Sequence, residues 1–270
     1  MAAFVRLAFF GLIFGLLAPL SPGRSEVVTW ISTDPVYAEA KETTGSGQLI
    51  YLTSHLPNFS HRVIKASDAR AIHELKSGAG VCNTNMFVTP EREKLFTFAK
   101  RRMALPGFRL LARRGGLAAL SPAVNAKGEV DLDKLERLPG LTGAYTHSRQ
   151  YGPAISAYIK RAPAGLNVEV ANLQLFNLVE TGRVDFAFVV PMDYYYFIPE
   201  QQRGAVVLLR VAGEAPVSHA AVACSNDALG RSVIQAIDTL LSDDSQWVTY
   251  VEPLRQWLPP EDFEILRAGH

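Results

Sequence analysis

The sequence has 270 residues, 48% of them hydrophobic, and its 27 basic residues nearly balance its 26 acidic residues. This apolar content suffices for a large core in one or two domains, and the charge balance excludes the basic patch of a nucleic-acid-binding protein. Six scattered histidines without a Ser-His-Asp spacing, and two cysteines without zinc-type spacing, predict neither an enzyme nor a metal or other cofactor.

The N-terminus has the pattern of an export signal. Arg6 precedes an apolar run from Leu7 to Leu20, and the small-residue stretch "SPGRS" follows. The apolar run is too short to span a bilayer comfortably, and the flanking residues are those of a signal peptide with its cleavage site. We therefore expect residues 1–25 to be a signal peptide and the mature protein to be periplasmic. A membrane anchor is the alternative.

The first part of the mature chain alternates between strand and helix patterns. The apolar spacing predicts strands over 26–32, 61–67 and 80–87, and helices over 48–56, 68–78 and 90–100. Ser67 is a helix cap in this pattern, and Gly and Pro residues mark the breaks between elements. Such an alternation is typical of an α/β fold with a mainly parallel sheet.

A second alternation begins after the break "LPGF" at 105–108. It predicts strands over 108–113, 141–146, 167–172, 184–190, 205–211 and 218–225, and helices over 148–162, 172–183, 228–243 and 244–258. A second α/β unit is therefore expected within the chain.

Arg92 has an unusual place in this pattern. It lies at the start of a predicted helix, just after a strand, where an acidic residue would suit the helix dipole better. A cation at this position is either unfavourably placed or placed to hold an anion.

Three stretches resemble the periplasmic solute-binding proteins of ABC uptake systems, in the family 3 branch that includes polar amino-acid binders. They are "STDPVYAEA" at 32–40, "TPEREKLFTFA" at 89–99 and "LVETGRVDFAFV" at 178–189. The resemblance implies a type II binding-protein fold with two α/β lobes, each a mainly parallel sheet flanked by helices, joined by two crossing strands. It places lobe 1 at 26–104 and 218–270, and lobe 2 at 108–213.

The resemblance also implies ligand contacts in lobe 1. Arg92 matches the arginine that binds the ligand carboxylate through its planar guanidinium; a surface salt bridge is the alternative. Asp34 and Tyr37 match the acid and the aromatic residue after the first strand, with a turn-forming Asp and ordinary packing as alternatives. Asn85 occupies a position where the family often has a small hydroxyl residue that contacts the ligand.

In lobe 2, the implied contacts are at a helix start and in an aromatic cluster. Ser148 and Arg149 lie at the predicted start of the helix over 148–162, where free N–H groups bind anions; Ser148 as a plain cap is the alternative. Tyr194, within "PMDYYYF" at 191–197, could stack on a flat ligand. Packing in the core or at the rim is the alternative for Tyr194.

The expected ligand class depends on one position at which this sequence differs from the family pattern. The family's ammonium-pairing Asp is replaced by Val190, and a buried unpaired charge is costly. We therefore expect a small anionic or carboxylate-bearing solute rather than an amino acid. The expected role is a monomeric binding protein for an ABC permease. A stand-alone ligand sensor with a membrane receptor is the alternative, and a dehydratase-like enzyme on the same fold is a weaker one.

Cys82 and Cys224 are the two cysteines of the chain. An oxidising compartment favours pairing, and two separate buried thiols are the alternative. The family topology places the two residues on neighbouring strands of lobe 1, which implies a disulfide.

Overall fold

The computed structural model describes residues 26–32, 45–146, 149–161, 166–167, 172–198 and 200–269. The proposed signal peptide and three of the expected ligand contacts, Asp34, Tyr37 and Ser148, lie outside these residues.

Twelve strands are present in this part of the chain, and we number them in chain order. They are β1 Val27–Ser32, β2 Ser60–Lys65, β3 Val81–Phe87, β4 Phe96–Phe98, β5 Met103–Pro106, β6 Arg109–Arg113, β7 Glu129–Val130, β8 Gly143–Tyr145, β9 Leu166–Asn167, β10 Phe186–Val189, β11 Val206–Val211 and β12 Val217–Ser225.

The α-helices of the described residues are numbered in the same way. They are α1 Gly45–His55, α2 Asp68–Ser77, α3 Pro90–Glu93, α4 Leu117–Leu120, α5 Leu132–Leu135, α6 Pro153–Arg161, α7 Asn172–Glu180, α8 Pro191–Phe197, α9 Ala228–Leu241, α10 Asp244–Val251 and α11 Pro260–Ala268.

The strands form two separate six-stranded sheets, one in each lobe. The lobe 1 sheet has the order β2-β1-β3-β12-β4, and β5 also pairs with β12. The lobe 2 sheet has the order β7-β11-β6-β10-β8-β9. Helices flank both sheets, so the expected two-lobe α/β class is confirmed.

Both sheets are mixed rather than uniformly parallel. In lobe 1, β1 is parallel to β2 and β3, but β12 is antiparallel to β3, β4 and β5. In lobe 2, β10 is parallel to β8, whereas β6 is antiparallel to β10 and β11. The strand–helix–strand units are parallel, as the alternation predicts. The antiparallel pairs come from β12 and β6, the two strands that continue from the crossings between the lobes.

Helix α2 shows how local sequence sets these elements. Ser67 caps it by accepting a hydrogen bond from the Arg70 N–H at 3.3 Å. Lys76 lies in its last turn, and Ala71 and Leu75 face the core four residues apart. The capping residue and the apolar spacing were both recognisable in the sequence.

Two of the expected helices are wrong in extent. The helix expected over 90–100 is the single turn α3, because the chain then enters strand β4, which pairs with β12. The helix expected over 148–162 begins only at Pro153. Pro suits the first position of a helix because its missing N–H is not needed there.

The two chain crossings lie side by side. Strand β5 runs antiparallel to the beginning of β12, and the Gly107 N–H donates to the Pro216 carbonyl at 2.8 Å. A Cβ atom at Gly107 would overlap the Ala215 carbonyl. The crossings therefore approach so closely that only glycine fits at this position.

Cys82 and Cys224 form a disulfide with an S–S distance of 2.02 Å. They are register partners on β3 and β12, and both are fully buried in the lobe 1 core. The implied pairing is confirmed, and it joins two segments of lobe 1 that are 142 residues apart in sequence.

Candidate functional site

Arg92 lies in the short helix α3, where strand β3 ends. Thr89 caps the helix by accepting a hydrogen bond from the Arg92 N–H at 3.3 Å. The side chain is half-buried, and its Nη1 donates to the Phe87 carbonyl at 3.2 Å. This contact turns the guanidinium back towards the end of β3 and uses one of its five donors.

The charge of Arg92 is only weakly compensated. Burial lowers the pKa of its guanidinium, and the negative charge of Asp68 opposes that shift. Within the part of the chain that the structure describes, no carboxylate lies at ion-pair distance from Arg92. The guanidinium therefore keeps donors and charge that a bound anion could use.

Asn85 lies on the same strand, two residues before Phe87. Its backbone N–H donates to the Asn83 Oδ1 at 3.0 Å, and Asn83 is fixed in turn by donating to the Ile31 carbonyl at 3.0 Å. The Asn85 Oδ1 is buried and has no hydrogen-bond partner among the described residues. A buried acceptor without a donor is costly, so this atom is suited to receive a donor from a ligand.

Arg149 forms a buried ion pair in lobe 2 instead of capping a helix. Its Nη1 lies 2.9 Å from the Asp193 Oδ2, and the two side chains are 12% and 18% exposed. Burial acts to lower the pKa of Arg149, but the charges of Asp193, Tyr151 and Asp68 raise it overall. Arg149 lies in the loop before α6, which corrects its expected place at the first turn of the helix.

Tyr194 belongs to the lobe 2 core. It packs near Phe176 and Tyr195, with ring centroids 6.4 Å and 5.1 Å away. Its hydroxyl donates to the Arg203 carbonyl at 2.8 Å. The residue is buried and its hydroxyl already has an acceptor, which favours the packing alternative for Tyr194.

Electrostatic and aromatic interactions connect the two lobes. Asp68, at the start of α2 in lobe 1, acts electrostatically on both Arg92 and Arg149. The Phe108 ring at the crossing lies tilted against Phe87 in lobe 1 and against Tyr151 in lobe 2, with ring centroids 5.6 Å and 5.0 Å away. Aromatic packing at the crossing therefore links the end of β3 in lobe 1 to the segment before α6 in lobe 2.

Several of these residues escaped the sequence analysis. Asp68 has the ordinary place of an acid in a first helical turn, so nothing in the sequence marks its electrostatic effect on Arg92 and Arg149. Tyr151 accepts a hydrogen bond from the Thr146 N–H at 2.8 Å, and the Thr146 Oγ1 is buried without a partner among the described residues. Only the folded loop brings these two side chains together.

The described residues contain no group of three or more His, Cys, Asp or Glu side chains that could hold a metal ion. None of their helices is both long and apolar enough to cross a membrane.

Comparison with solved structures places the chain among two-lobe proteins. One similar structure is a histidine kinase sensor domain with similarity to periplasmic binding proteins, with 16% sequence identity and a TM-score of 0.62. The match covers 87% of this chain and 96% of the sensor domain. An amino acid ABC transporter substrate-binding protein from Streptococcus pneumoniae, bound to L-arginine, shares 14% identity over 86% of this chain and 93% of its own, with a TM-score of 0.59.

A third structure is the periplasmic VFT2 domain of BvgS from Bordetella pertussis. It shares 16% identity, covers 86% of this chain and 93% of its own, and has a TM-score of 0.56. The fold is that of a two-lobe periplasmic binding protein. At this level of identity the likeness concerns the fold, and residue roles rest on the chain's own geometry. No family model and no curated protein matches the sequence.

Proposed function

We propose that this protein is an exported binding protein that captures a small carboxylate-bearing solute between its two lobes. The observation that carries the proposal is Arg92, a half-buried guanidinium with one carbonyl acceptor and no carboxylate at ion-pair distance among the described residues. Guanidinium binds carboxylate through two parallel hydrogen bonds. The unpartnered Asn85 Oδ1, on strand β3 just before α3, supports a ligand that also carries a hydrogen-bond donor.

The proposal includes the organisation of the chain. Residues 1–25 would be removed as a signal peptide, 26–104 with 218–270 would form lobe 1, and 108–213 would form lobe 2. The buried disulfide supports an oxidising, extracytoplasmic compartment. The downstream partner would be an ABC permease, as the solved substrate-binding protein among the similar structures suggests.

The test is a thermal-shift screen of the mature wild-type protein and its Arg92→Ala variant against small metabolites. A ligand that binds only the native state raises Tm. We expect carboxylate-bearing compounds to raise the Tm of the wild type and not that of Arg92→Ala. Hits that shift both proteins equally would contradict the assignment of Arg92.

A ligand sensor is the second candidate, because one of the similar structures is a histidine kinase sensor domain. The two roles differ in the partner rather than in the cleft. Neighbouring genes for a permease and an ATPase would support uptake, and a gene for a receptor kinase or cyclase would support sensing.

A further inference from the structure

Glu214 lies on the second crossing between the lobes, in the segment that links β11 to β12. Its Oε1 accepts a hydrogen bond at 2.8 Å from the Ile155 N–H, in the first turn of α6. Its carboxylate also covers Gly152, where a Cβ atom would overlap it. A side chain 59 residues away in sequence from Ile155 therefore fills the space above the start of α6.

The partners of this carboxylate are backbone N–H groups. Burial raises the pKa of Glu214, and hydrogen bonds from the Ile155 and Ala154 N–H groups oppose that shift. No Lys or Arg of the described residues lies at ion-pair distance from it. The first N–H groups of a helix have no partner within the helix and favour an anion. Glu214 supplies that anion from within the chain.

The segment before α6 leads directly to the candidate site. It contains Arg149, which pairs with Asp193, and Tyr151, which lies against Phe108 at the crossing. The Ser156 hydroxyl donates to the Tyr151 carbonyl at 3.2 Å and so ties this segment to the helix. Fixing the start of α6 therefore fixes the loop that carries Arg149.

We propose that Glu214 is a positioning and specificity residue. It holds the start of α6, and it prevents a ligand carboxylate from binding to the first N–H groups of that helix. The ligand's anionic group then binds to Arg92 alone. This proposal rests on the proposed function for the part that concerns the ligand. Among the described residues around the start of α6, two places that could receive an anion are thereby filled, because the Ile155 N–H is occupied by Glu214 and Arg149 is occupied by Asp193.

Formate tests the occupancy of this place without knowledge of the natural ligand. All measurements are made on the mature chain carrying Arg92→Ala, so that binding to Arg92 does not contribute. In Glu214→Ala, formate should raise Tm in a saturable way compared with chloride at equal ionic strength, because it replaces the missing carboxylate. The Arg92→Ala protein with Glu214 intact should show no rise in Tm with formate. Glu214→Gln in the same background should also show none, because the Gln side chain still fills the space.

An equal formate response in all three proteins, or none in Glu214→Ala, would overturn the proposal. If Glu214→Ala does not fold, Gly152→Ala provides the same test by displacing the carboxylate. Its loss in Tm should then be smaller in a Glu214→Asp background than alone, since the shorter side chain no longer covers Gly152 and both changes act on one contact. Additive losses would overturn the proposal. Because Arg92 is absent throughout, a wrong assignment of Arg92 would leave these results unchanged.

Discussion

Arg149 and Asp193 neutralise each other across a distance of 2.9 Å, and both side chains are largely buried. Arg92 in lobe 1 has no carboxylate at such a distance among the described residues. These two arginines therefore differ: the lobe 2 guanidinium is already paired with a carboxylate, and the lobe 1 guanidinium is not. The proposed role of Arg92 rests on this difference.

Replacing Arg92 should abolish ligand binding while leaving the fold intact. Arg92→Ala removes the proposed carboxylate partner and one hydrogen bond to the Phe87 carbonyl, so we expect a loss of about 2–5 kcal/mol in binding free energy. Arg92→Lys should also bind poorly, because a point charge cannot form two parallel hydrogen bonds. Calorimetry with a ligand from the screen measures both effects.

Arg102→Ala is the matched control for this experiment. Arg102 lies ten residues further along and pairs with Glu93 at 2.7 Å in a half-exposed salt bridge. We expect wild-type affinity for this variant, since exposed pairs contribute little. Equal affinities for wild type and Arg92→Ala would refute the role of Arg92.

Standard amino acids should be weak ligands. Val190 is buried where an ammonium-pairing acid is expected, and the nearby Asp193 is held by Arg149. Neither of these two positions would therefore provide a free partner for an ammonium group in the closed cleft. A thermal-shift panel of the standard amino acids should give no shift at micromolar concentration, and micromolar binding of any of them would show that another acid supplies the contact.

Breaking the Arg149–Asp193 pair should strongly destabilise the protein. Arg149→Met leaves a buried carboxylate without its guanidinium partner, which costs about 3–5 kcal/mol. Arg149→Met/Asp193→Leu should recover part of this loss, because both charges are then removed. Urea unfolding measures the free energies.

Arg161→Met serves as the comparison for the buried pair. Arg161 pairs with Asp133 and Glu136 on the surface of lobe 2, and its loss should cost less than about 1 kcal/mol. A similar cost for Arg149→Met and Arg161→Met would mean that burial of the Arg149 pair has no energetic weight.

The disulfide should contribute substantially to stability. Cys82→Ala/Cys224→Ala releases a closed loop of 142 residues, and we expect a loss of about 2–5 kcal/mol in the free energy of unfolding. A reducing agent should lower the urea midpoint of the wild type and leave that of the double variant unchanged. Two free thiols per chain in denatured, unreduced protein would show that the bridge is absent.

Asp227 should give part of the stability of lobe 1 a dependence on pH. Burial acts to raise the pKa of Asp227, but hydrogen bonds from the Ser225 hydroxyl and the Gly230 and Gly80 N–H groups lower it overall. A lowered pKa means that the folded state binds fewer protons than the unfolded state. The contribution of Asp227 is therefore present at neutral pH and is lost as pH falls below its ordinary value of 3.8.

Asp227→Ala tests this dependence. Loss of the α9 cap should cost about 1–2 kcal/mol near pH 7. The difference from the wild type should shrink as the pH falls below 4, which thermal unfolding across pH would detect. A difference that stays constant across pH would show that the ionised carboxylate is not responsible.

The sequence predicted the elements and the chain path better than the site. Ser67 and the spacing of Ala71 and Leu75 mark α2 from local pattern alone. The aromatic spacing after Pro90 suited a helix, but pairing of Phe96–Phe98 with β12 made that segment a strand. Such long-range pairing is not encoded in a local pattern.

Long-range contacts also explain why the sequence did not predict the lobe 2 part of the site. Tyr194 belongs to an aromatic cluster that could serve a ligand or a core, and only its hydrogen bond to Arg203 favours the core. Glu214 and Ile155 meet only because the crossing returns to the start of α6. Contacts of this kind depend on tertiary structure, so pattern and propensity do not predict them.

The position of β12 has a consequence for the order in which the two sheets can form. This strand lies between β3 and β4 in the lobe 1 sheet, yet it follows the whole of lobe 2 in the chain. If the protein is exported as proposed above, with its N-terminus first, lobe 2 can complete its sheet while lobe 1 still lacks an inner strand. Lobe 1 would then expose the edge of β3 until residues 217–225 arrive, and such unpaired edges favour aggregation. The lobe 1 sheet is therefore the one that closes last.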